Sequence, residues 1–149
     1  MSDLRDRIEA ATKNAMRARD RERVAALRLV NAELKQAEID GRKTLADADV
    51  VGVLARMQKQ RRDSLGQFEA AGREDLAAIE RFEIEVIEEF LPRAMAADEI
   101  EKAVAAAIEA TGAVGMKDMG RVMGALKGEL TGRADMGTVS QVVRAALQG

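Results

Sequence analysis

The sequence predicts an all-α protein with about seven helices. Of its 149 residues, 47% are hydrophobic and 34% are charged, and the abundance of Ala, Glu, Lys, Leu and Arg favours helix over sheet. Aromatic residues make up only 2%, so the expected core is aliphatic and includes eight methionines. We expect a helical N-terminal subdomain at 1–92 that contains a long charged hairpin, and a small three-helix C-terminal subdomain at 93–149.

The predicted hairpin organises the first subdomain. Residues 56–62 are rich in cations and residues 74–89 are rich in carboxylates. Gly72 stands between them, where a helix C-terminus is expected, and acidic residues follow where a new N-terminus would favour them. Pro92 ends the acidic helix because it moves Leu91 out of the α region. We therefore expect a basic helix and an acidic helix that pack antiparallel.

The first two helices precede this hairpin. Ser2 or Asp3 is predicted to cap the first helix, and Asp20 to cap a second helix that ends near Asp40. Apolar residues recur at three- and four-residue intervals in both helices: Leu4, Ile8, Ala11, Ala15 and Met16, then Val24, Leu27, Val30, Leu34 and Ala37. Cations recur every seven residues in the second helix, on one expected solvent-facing line: Arg21, Arg28 and Lys35.

The third helix is predicted to begin at Asp47 or Asp49. Its expected buried stripe consists of Val50, Leu54, Met57, Leu65 and Phe68. The expected buried stripe of the fourth helix consists of Leu76, Ile79, Phe82 or Glu83, Val86, Ile87 and Phe90. The stripe of the third helix is interrupted near Arg61. Either Arg61 extends its aliphatic stem past a thin edge of the core, or the packing is interrupted to present its guanidinium for a function.

Three shorter helices are predicted after the proline. Asp98 is expected to cap the fifth helix, over 99–110, and Asp135 to cap the last helix, over 139–147. The sixth helix begins near residue 117 and contains three glycines at four-residue spacing, hence on one face: Gly120, Gly124 and Gly128. Each costs about 1 kcal/mol relative to alanine. Close approach of a neighbouring helix, of a nucleic-acid backbone or of a ligand would compensate for this cost, unless the helix simply tolerates it.

The sequence offers no recognisable catalytic apparatus. It contains no histidine and no cysteine, so the commonest general base and the usual structural zinc ligands are absent. No glycine-rich nucleotide loop occurs in a strand–helix context. We therefore expect no catalytic residue, no cofactor and no metal. Because Trp and Tyr are also absent, any RNA contact would have to be made by Arg and Lys to phosphate.

Charge is segregated along the chain although the net charge is only −2. One interpretation is that the basic and acidic helices pair with each other, each exposed pair contributing roughly 0–1 kcal/mol. The N-terminal sequence lacks the apolar region of a signal peptide, and no apolar run is long enough to cross a membrane. We therefore expect a cytoplasmic protein without membrane contact.

Three stretches of the chain, at 1–40, 59–92 and 116–137, together resemble the YqeY-like bacterial protein family. The resemblance spans nearly the whole chain in the same order. That family is similar to the C-terminal tail of the B subunit of glutamine-dependent aspartyl/glutamyl-tRNA amidotransferase, which implies two helical subdomains. The tail is understood to hold the body of the tRNA, while a separate region of the B subunit handles ATP and the activated ester.

The match to the amidotransferase tail is best in the second subdomain. Gly120, Val122 and Met123 match its G-x-V-M element, and Gly132, Ala134 and Asp135 align with its G-K-A-N turn, where Arg133 keeps the cation. The resemblance implies a non-catalytic tRNA-binding accessory module. Its expected phosphate contacts are Lys117, Arg121, Lys127 and Arg133, with help from Lys59, Arg61 and Arg62.

Two other functions remain open. The chain could be a protein-interaction module without RNA, whose glycine face or basic helix docks another helix or an acidic partner from the translation or amidotransferase machinery. Carbon–nitrogen ligase activity with glutamine as amido-N-donor follows from family association alone. The direction of the cations discriminates between the first two functions. One continuous basic surface favours RNA, whereas pairing with the acidic helix favours the interaction module.

Overall fold

The computed structural model describes residues 2–148, and these form seven α-helices, one short 3-10 turn and no strand. The predicted all-α class is therefore confirmed. The helices are α1 (Asp3–Arg17), α2 (Arg21–Gly41), α3 (Asp47–Ala70), α4 (Glu74–Glu88), α5 (Ala97–Thr111), α6 (Met119–Leu130) and α7 (Met136–Gln148), with the 3-10 turn at Met116–Asp118. The chain divides into two compact units, unit 1 (Met1–Leu91) and unit 2 (Pro92–Gly149).

Side-chain caps fix the starts of α1 and α2. The Ser2 hydroxyl accepts a hydrogen bond from the backbone N–H of Arg5 at 3.0 Å, and an Asp20 carboxylate oxygen accepts one from Arg23 N–H at 3.2 Å. Both predicted caps are confirmed. Asp47, the first residue of α3, also accepts from the Ser2 hydroxyl and from Leu4 N–H at 3.2 Å. These bonds join the N-termini of α1 and α3 and hold the pKa of Asp47 below its usual value.

The predicted hairpin is formed by α3 and α4. The chain leaves α3 at Ala70 and turns at Gly72, whose φ of +70° is a left-handed conformation that favours glycine. Arg73 N–H closes the turn by donating to the Phe68 carbonyl at 2.9 Å. The hairpin then enters α4 at Glu74 with acidic residues in the first turn, where the helix dipole favours them.

All four helices of unit 1 contribute to one aliphatic core. Its most deeply buried side chains include Ile8, Leu27, Leu34, Leu54, Met57 and Ile87. The tip of the hairpin lies beyond this core, and there the predicted stripes are partly wrong. Leu65 and Phe68 are only half-buried, and Ile79 is 55% exposed, whereas Ala77 and Ile84 are buried instead. α4 packs mainly against α3 and less against α2, and these residues of the tip lie outside the core that the four helices share.

Unit 2 is a three-helix cluster with its own core. Its buried residues are Ile100, Val104, Ala107, Val122, Leu126, Leu130, Val139 and Val143. Asp135 caps α7 as predicted, accepting from Thr138 N–H at 3.1 Å. The predicted Asp98 cap is wrong, because α5 begins at Ala97 and Ala96 occupies the cap position. Asp98 lies in the first turn, where the helix dipole still favours its charge.

None of the helices in the described part of the chain is long and apolar enough to cross a membrane.

Candidate nucleic-acid interface

The outward face of α6 carries a row of three glycines. Gly120, Gly124 and Gly128 are all exposed, and a methyl group added at any of them would meet no side chain or neighbouring element within 4 Å. Of the alternatives that the sequence leaves open for this face, close approach of a neighbouring helix is therefore wrong within the described residues of unit 2. Its backbone is open to solvent, which leaves the cost of the three glycines uncompensated by packing.

The core-facing side of α6 explains this orientation. Val122, Leu126 and Leu130 are buried at four-residue spacing, and because successive residues of an α-helix are rotated by about 100°, the three glycines fall on the opposite side. The exposed Lys127 lies beside the glycines on α6, and the exposed Lys117 precedes the helix in the 3-10 turn. We call this surface the α6 face, made of Lys117, Gly120, Arg121, Gly124, Lys127 and Gly128.

Arg121 is partly engaged on the α6 face. Its guanidinium lies 3.2 Å from an Asp118 carboxylate oxygen, and the other oxygen of Asp118 accepts from Val114 N–H at 2.9 Å. That backbone bond is the main cause of a pKa of Asp118 below its usual value, so the carboxylate stays ionised at neutral pH. Lys117 and Lys127, in contrast, have no carboxylate within 4 Å among the described residues. They are the cations of the α6 face that remain available for an anion.

Arg133 has contacts that are internal to unit 2. Its Nε donates to the Arg93 carbonyl at 3.1 Å, and its Nη2 lies 3.7 Å from a Glu99 carboxylate oxygen. The Arg133 carbonyl in turn accepts from Met95 N–H at 2.8 Å. The side chain thus joins the turn before α7 to the segment that leads into α5, which is a structural role.

The cations predicted on α3 are mostly paired with α4. Arg61 Nε donates to a Glu83 carboxylate oxygen at 2.8 Å, with side-chain exposures of 16% and 15%. Arg62 lies 3.5 Å from Glu88, and Lys59 is exposed without a carboxylate within 4 Å in the described chain. The guanidinium of Arg61 lies between the two helices, so the side chain ends in an ion pair inside the hairpin and does not extend past the core into solvent as one interpretation had it.

A second carboxylate lies beside the Arg61–Glu83 pair. One carboxylate oxygen of Glu80 is buried and has no hydrogen-bond partner in the part of the chain that the structure describes. Burial raises the pKa of Glu80, and the nearby charge of Glu83 raises it further, while Arg61 acts in the opposite direction. Arg61, Glu83 and Glu80 therefore interact electrostatically inside the hairpin, and within this group the hydrogen bond joins Arg61 to Glu83.

The cations of α1 and α2 are less completely paired than those of α3. Arg23 makes a double hydrogen bond to Glu89, at 2.5 and 3.1 Å, and Arg5 donates to Glu38 at 3.1 Å. A shallow groove of about 550 Å³ between α1 and α2 is bordered by further cations, namely Lys13, Arg28 and Lys35, which have no carboxylate within 4 Å in the described chain. The expected pairing of basic with acidic helices holds for the hairpin but not for this groove, and sequence periodicity could not distinguish the two cases.

The predicted phosphate contacts are therefore divided between the units. Lys59, Arg61 and Arg62 belong to unit 1, and Lys117, Arg121, Lys127 and Arg133 belong to unit 2. Residues 2–148 contain no group of three or more acidic, histidine or cysteine side chains that could hold a metal ion.

Comparison with known proteins identifies the family. The model of the family described as Yqey-like protein matches residues 5–147. The chain belongs to the YqeY-like family. The match includes both units and all seven helices, apart from the first two residues of α1 and the last residue of α7.

Three fungal proteins are related to this YqeY-like chain. It is 28% identical over 131 residues to altered inheritance of mitochondria protein 41, mitochondrial, of Pyrenophora tritici-repentis, covering 86% of the chain and 71% of that protein. It is 30% identical over 79 residues to an uncharacterized protein of Schizosaccharomyces pombe, covering 53% and 64%. A Clavispora lusitaniae protein, also named altered inheritance of mitochondria protein 41, mitochondrial, is 33% identical over 84 residues, covering 56% and 49%. The chain thus spans less than two thirds of the length of the last two.

Proposed function

We propose that this YqeY-like chain is a non-catalytic accessory module that binds tRNA through the α6 face of unit 2. The observation that carries the proposal is the solvent-exposed row Gly120, Gly124 and Gly128, flanked by two exposed lysines that have no carboxylate within 4 Å among residues 2–148. A glycine row without an internal neighbour gives a partner direct access to the helix backbone. The flanking ammonium groups favour a partner that carries negative charge.

A phosphate backbone fits this surface better than a base does. The chain has no Trp or Tyr, so stacking of bases is not supported. Lys117 and Lys127 can neutralise phosphates at the two ends of the face, and glycine between them lets the sugar–phosphate chain lie against the helix. Two such contacts are few, so binding is weak, and the slope of log K against log salt is only about −1.5.

The resemblance to the amidotransferase tail supports the same function. The elements that match the tail best lie on α6 and in the turn that follows it, at 120–123 and 132–135. By this analogy the chain would hold the body of a tRNA while a partner of the translation or amidotransferase machinery performs the chemistry. Its cytoplasmic location stays a prediction, and two of its fungal relatives have names that refer to mitochondria.

A protein-interaction module is the second candidate, and one observation favours it. Val114 is 79% exposed and Met116 is 40% exposed, immediately before α6. Two exposed apolar side chains next to a bare helix backbone would suit a protein helix. Carbon–nitrogen ligase activity stays an inference from family association, since no residue described above forms a catalytic group.

The experiment measures binding of a labelled tRNA by fluorescence anisotropy over a range of salt concentrations. Lys117→Ala/Lys127→Ala should weaken binding and should reduce the slope of log K against log salt by about 1.5, since each lost phosphate contact contributes roughly 0.7–0.9. The matched control is Lys102→Ala/Arg144→Ala, which removes two exposed cations of unit 2 that lie on α5 and α7. This control should bind tRNA with nearly the wild-type slope.

Two results would contradict the proposal. Equal losses in both double variants would show that the net charge of unit 2, and not the α6 face, attracts the RNA. Absence of wild-type binding at low salt would exclude the tRNA function and leave the protein-interaction module.

A further inference from the structure

The outward side of α2 has an unusual row of exposed side chains. Leu29 is 45% exposed and Ile39 is 59% exposed although both are large and apolar. Ala25, Ala32 and Gln36 are also exposed. Together the five residues follow one another at intervals of four, three, four and three. We call this row the α2 seam.

The spacing of the α2 seam is that of the a and d positions of a coiled coil. The seam is separate from the buried stripe of the same helix, in which Leu27, Val30 and Leu34 face the core of unit 1. A single exposed leucine needs no explanation. A row that repeats over 25–39 is different, because it covers about 21 Å of helix with the period of a helix–helix contact.

Charges of opposite sign border the two sides of the α2 seam. The basic side carries Arg21, Arg28 and Lys35, at the g positions of this register, and the acidic side carries Glu33 and Asp40, at the e positions. Neither Arg28 nor Lys35 has a carboxylate within 4 Å in the part of the chain that the structure describes.

The acidic side is only loosely engaged. Glu33 lies 3.8 Å from Arg56, with side-chain exposures of 46% and 59%, and Asp40 accepts from the Gln36 amide at 2.8 Å. Glu33 and Asp40 themselves are exposed. Both carboxylates therefore remain accessible to a cation from outside the chain.

This charge pattern is self-complementary in one orientation. In a parallel pair of helices, a g residue faces the e residue five positions later on the other helix. Arg28 would then face Glu33 of a second copy, and Lys35 would face Asp40, and two-fold symmetry repeats both pairs. An antiparallel pair would instead place g against g, so that Arg28 and Lys35 would meet the same basic side of the other copy.

We propose that two copies of this chain associate through the α2 seam as a parallel, two-fold symmetric pair. Ala25 and Ala32 allow the two helix backbones to approach closely, Leu29 and Ile39 supply the apolar contact, and the two charged sides set the parallel orientation. The seam is short and contains two small residues, so the dimer is weak and depends on protein concentration. The proposal rests on unit 1 and does not depend on RNA binding by unit 2.

The test uses two charge-reversal variants and sedimentation equilibrium of the full chain. Arg28→Glu/Lys35→Glu makes both sides of the seam acidic, and Glu33→Lys/Asp40→Lys makes both sides basic. Each variant alone should dimerise at least about tenfold more weakly than the wild type, because four exposed ion pairs become four like-charge contacts. Mixed in equal amounts, one acidic and one basic seam should form a heterodimer with near wild-type affinity.

A second pair of variants tests the apolar part of the seam. Leu29→Glu should abolish association, whereas Ile79→Glu, a control at an exposed apolar residue of α4 outside the seam, should not. All substituted positions are exposed, and circular dichroism and thermal unfolding should show unchanged folding.

Three results would overturn the proposal. The first is a wild-type chain that stays monomeric at millimolar concentration, whether or not the seam then binds a helix of another protein. The second is a dimer whose affinity is indifferent to both charge-reversal variants, because its contact would lie elsewhere. The third is a mixture of the two variants that does not restore association, because the charges would not face each other as the parallel register requires.

Discussion

Replacing the three glycines of the α6 face with alanine should change stability and RNA binding in opposite directions. The variant is Gly120→Ala/Gly124→Ala/Gly128→Ala. Alanine restricts the unfolded chain and favours helix, and the added methyl groups meet nothing within 4 Å. Unit 2 should therefore become more stable. The same methyl groups should hold a phosphate backbone away from the helix, so tRNA binding should become weaker.

The size of the stabilisation follows from the position of each glycine. Gly124 lies in the middle of α6, whereas Gly120 is its second residue and Gly128 lies in its last turn. An interior glycine costs about 1 kcal/mol relative to alanine, and a terminal one roughly half of that. The total is about 2 kcal/mol. For a unit of about 60 residues, this corresponds to an increase in melting temperature on the order of 10 °C.

Differential scanning calorimetry with far-UV circular dichroism measures the stability, and tRNA anisotropy measures the binding. Gly66→Ala is the matched control, because Gly66 is an exposed glycine of α3 with no atom within 4 Å of the added methyl. It should stabilise unit 1 and leave tRNA binding unchanged. Gly72→Ala should destabilise, because the φ of Gly72 is +70° and alanine is strained there.

Two outcomes would refute this reasoning separately. If the triple alanine variant is less stable than the wild type, then another element covers the α6 face and the exposure of the three glycines is not as described. If the variant is more stable but binds tRNA as the wild type does, then the stability argument holds and close approach of RNA to this face is wrong.

Two further predictions concern the charges inside the hairpin. Arg61→Ala should destabilise unit 1 by about 1–3 kcal/mol in chemical unfolding, because it leaves the half-buried Glu83 without its cation. The control Arg62→Ala, at an exposed residue, should destabilise it by less than about 1 kcal/mol. Equal losses of stability in the two variants would contradict the prediction. The pKa of Glu80 is higher in the folded state than in the unfolded state. Below the pKa of the unfolded state, about 4.3, the protonated side chain therefore contributes fully to stability. This contribution is lost as pH rises through the pKa of the folded state. Glu80→Gln should therefore be more stable than the wild type at pH 7 and lose that advantage towards pH 4. The control Glu85→Gln, exposed on α4, should show no such pH dependence, and a wild-type-like pH profile of Glu80→Gln would refute the prediction.

The elements that could be predicted from sequence are those decided by neighbouring residues. Ser2, Asp20 and Asp135 act as caps because a short polar side chain reaches an N–H two or three residues later. Gly72 ends α3 because the turn needs a positive φ. Helix number and order follow from such local signals together with the apolar period.

The predictions that failed depend on which elements meet in space. Ile79 has the period of a core residue, yet it lies outside the core that the helices of unit 1 share and its side chain is 55% exposed. Arg61 and Lys59 look equivalent in the sequence, but only Arg61 faces a carboxylate of α4. The glycine row was predicted on one face, and its surroundings could be learned only from the structure, because helical period does not say what lies opposite.

The two proposed surfaces have a physical property in common. In both, the residues are unfavourable for an isolated helix surface, and no contact within the described chain compensates for their cost. The glycines weaken α6 without allowing an internal contact, and Leu29 and Ile39 expose apolar surface in a helix that already buries another stripe. Sequences that specify one fold are usually consistent from local propensity to packing, and departures from that consistency are expected where a protein meets a partner. Because one departure lies in unit 1 and the other in unit 2, each can be removed by substitution without altering the other, and the two functions can be tested independently.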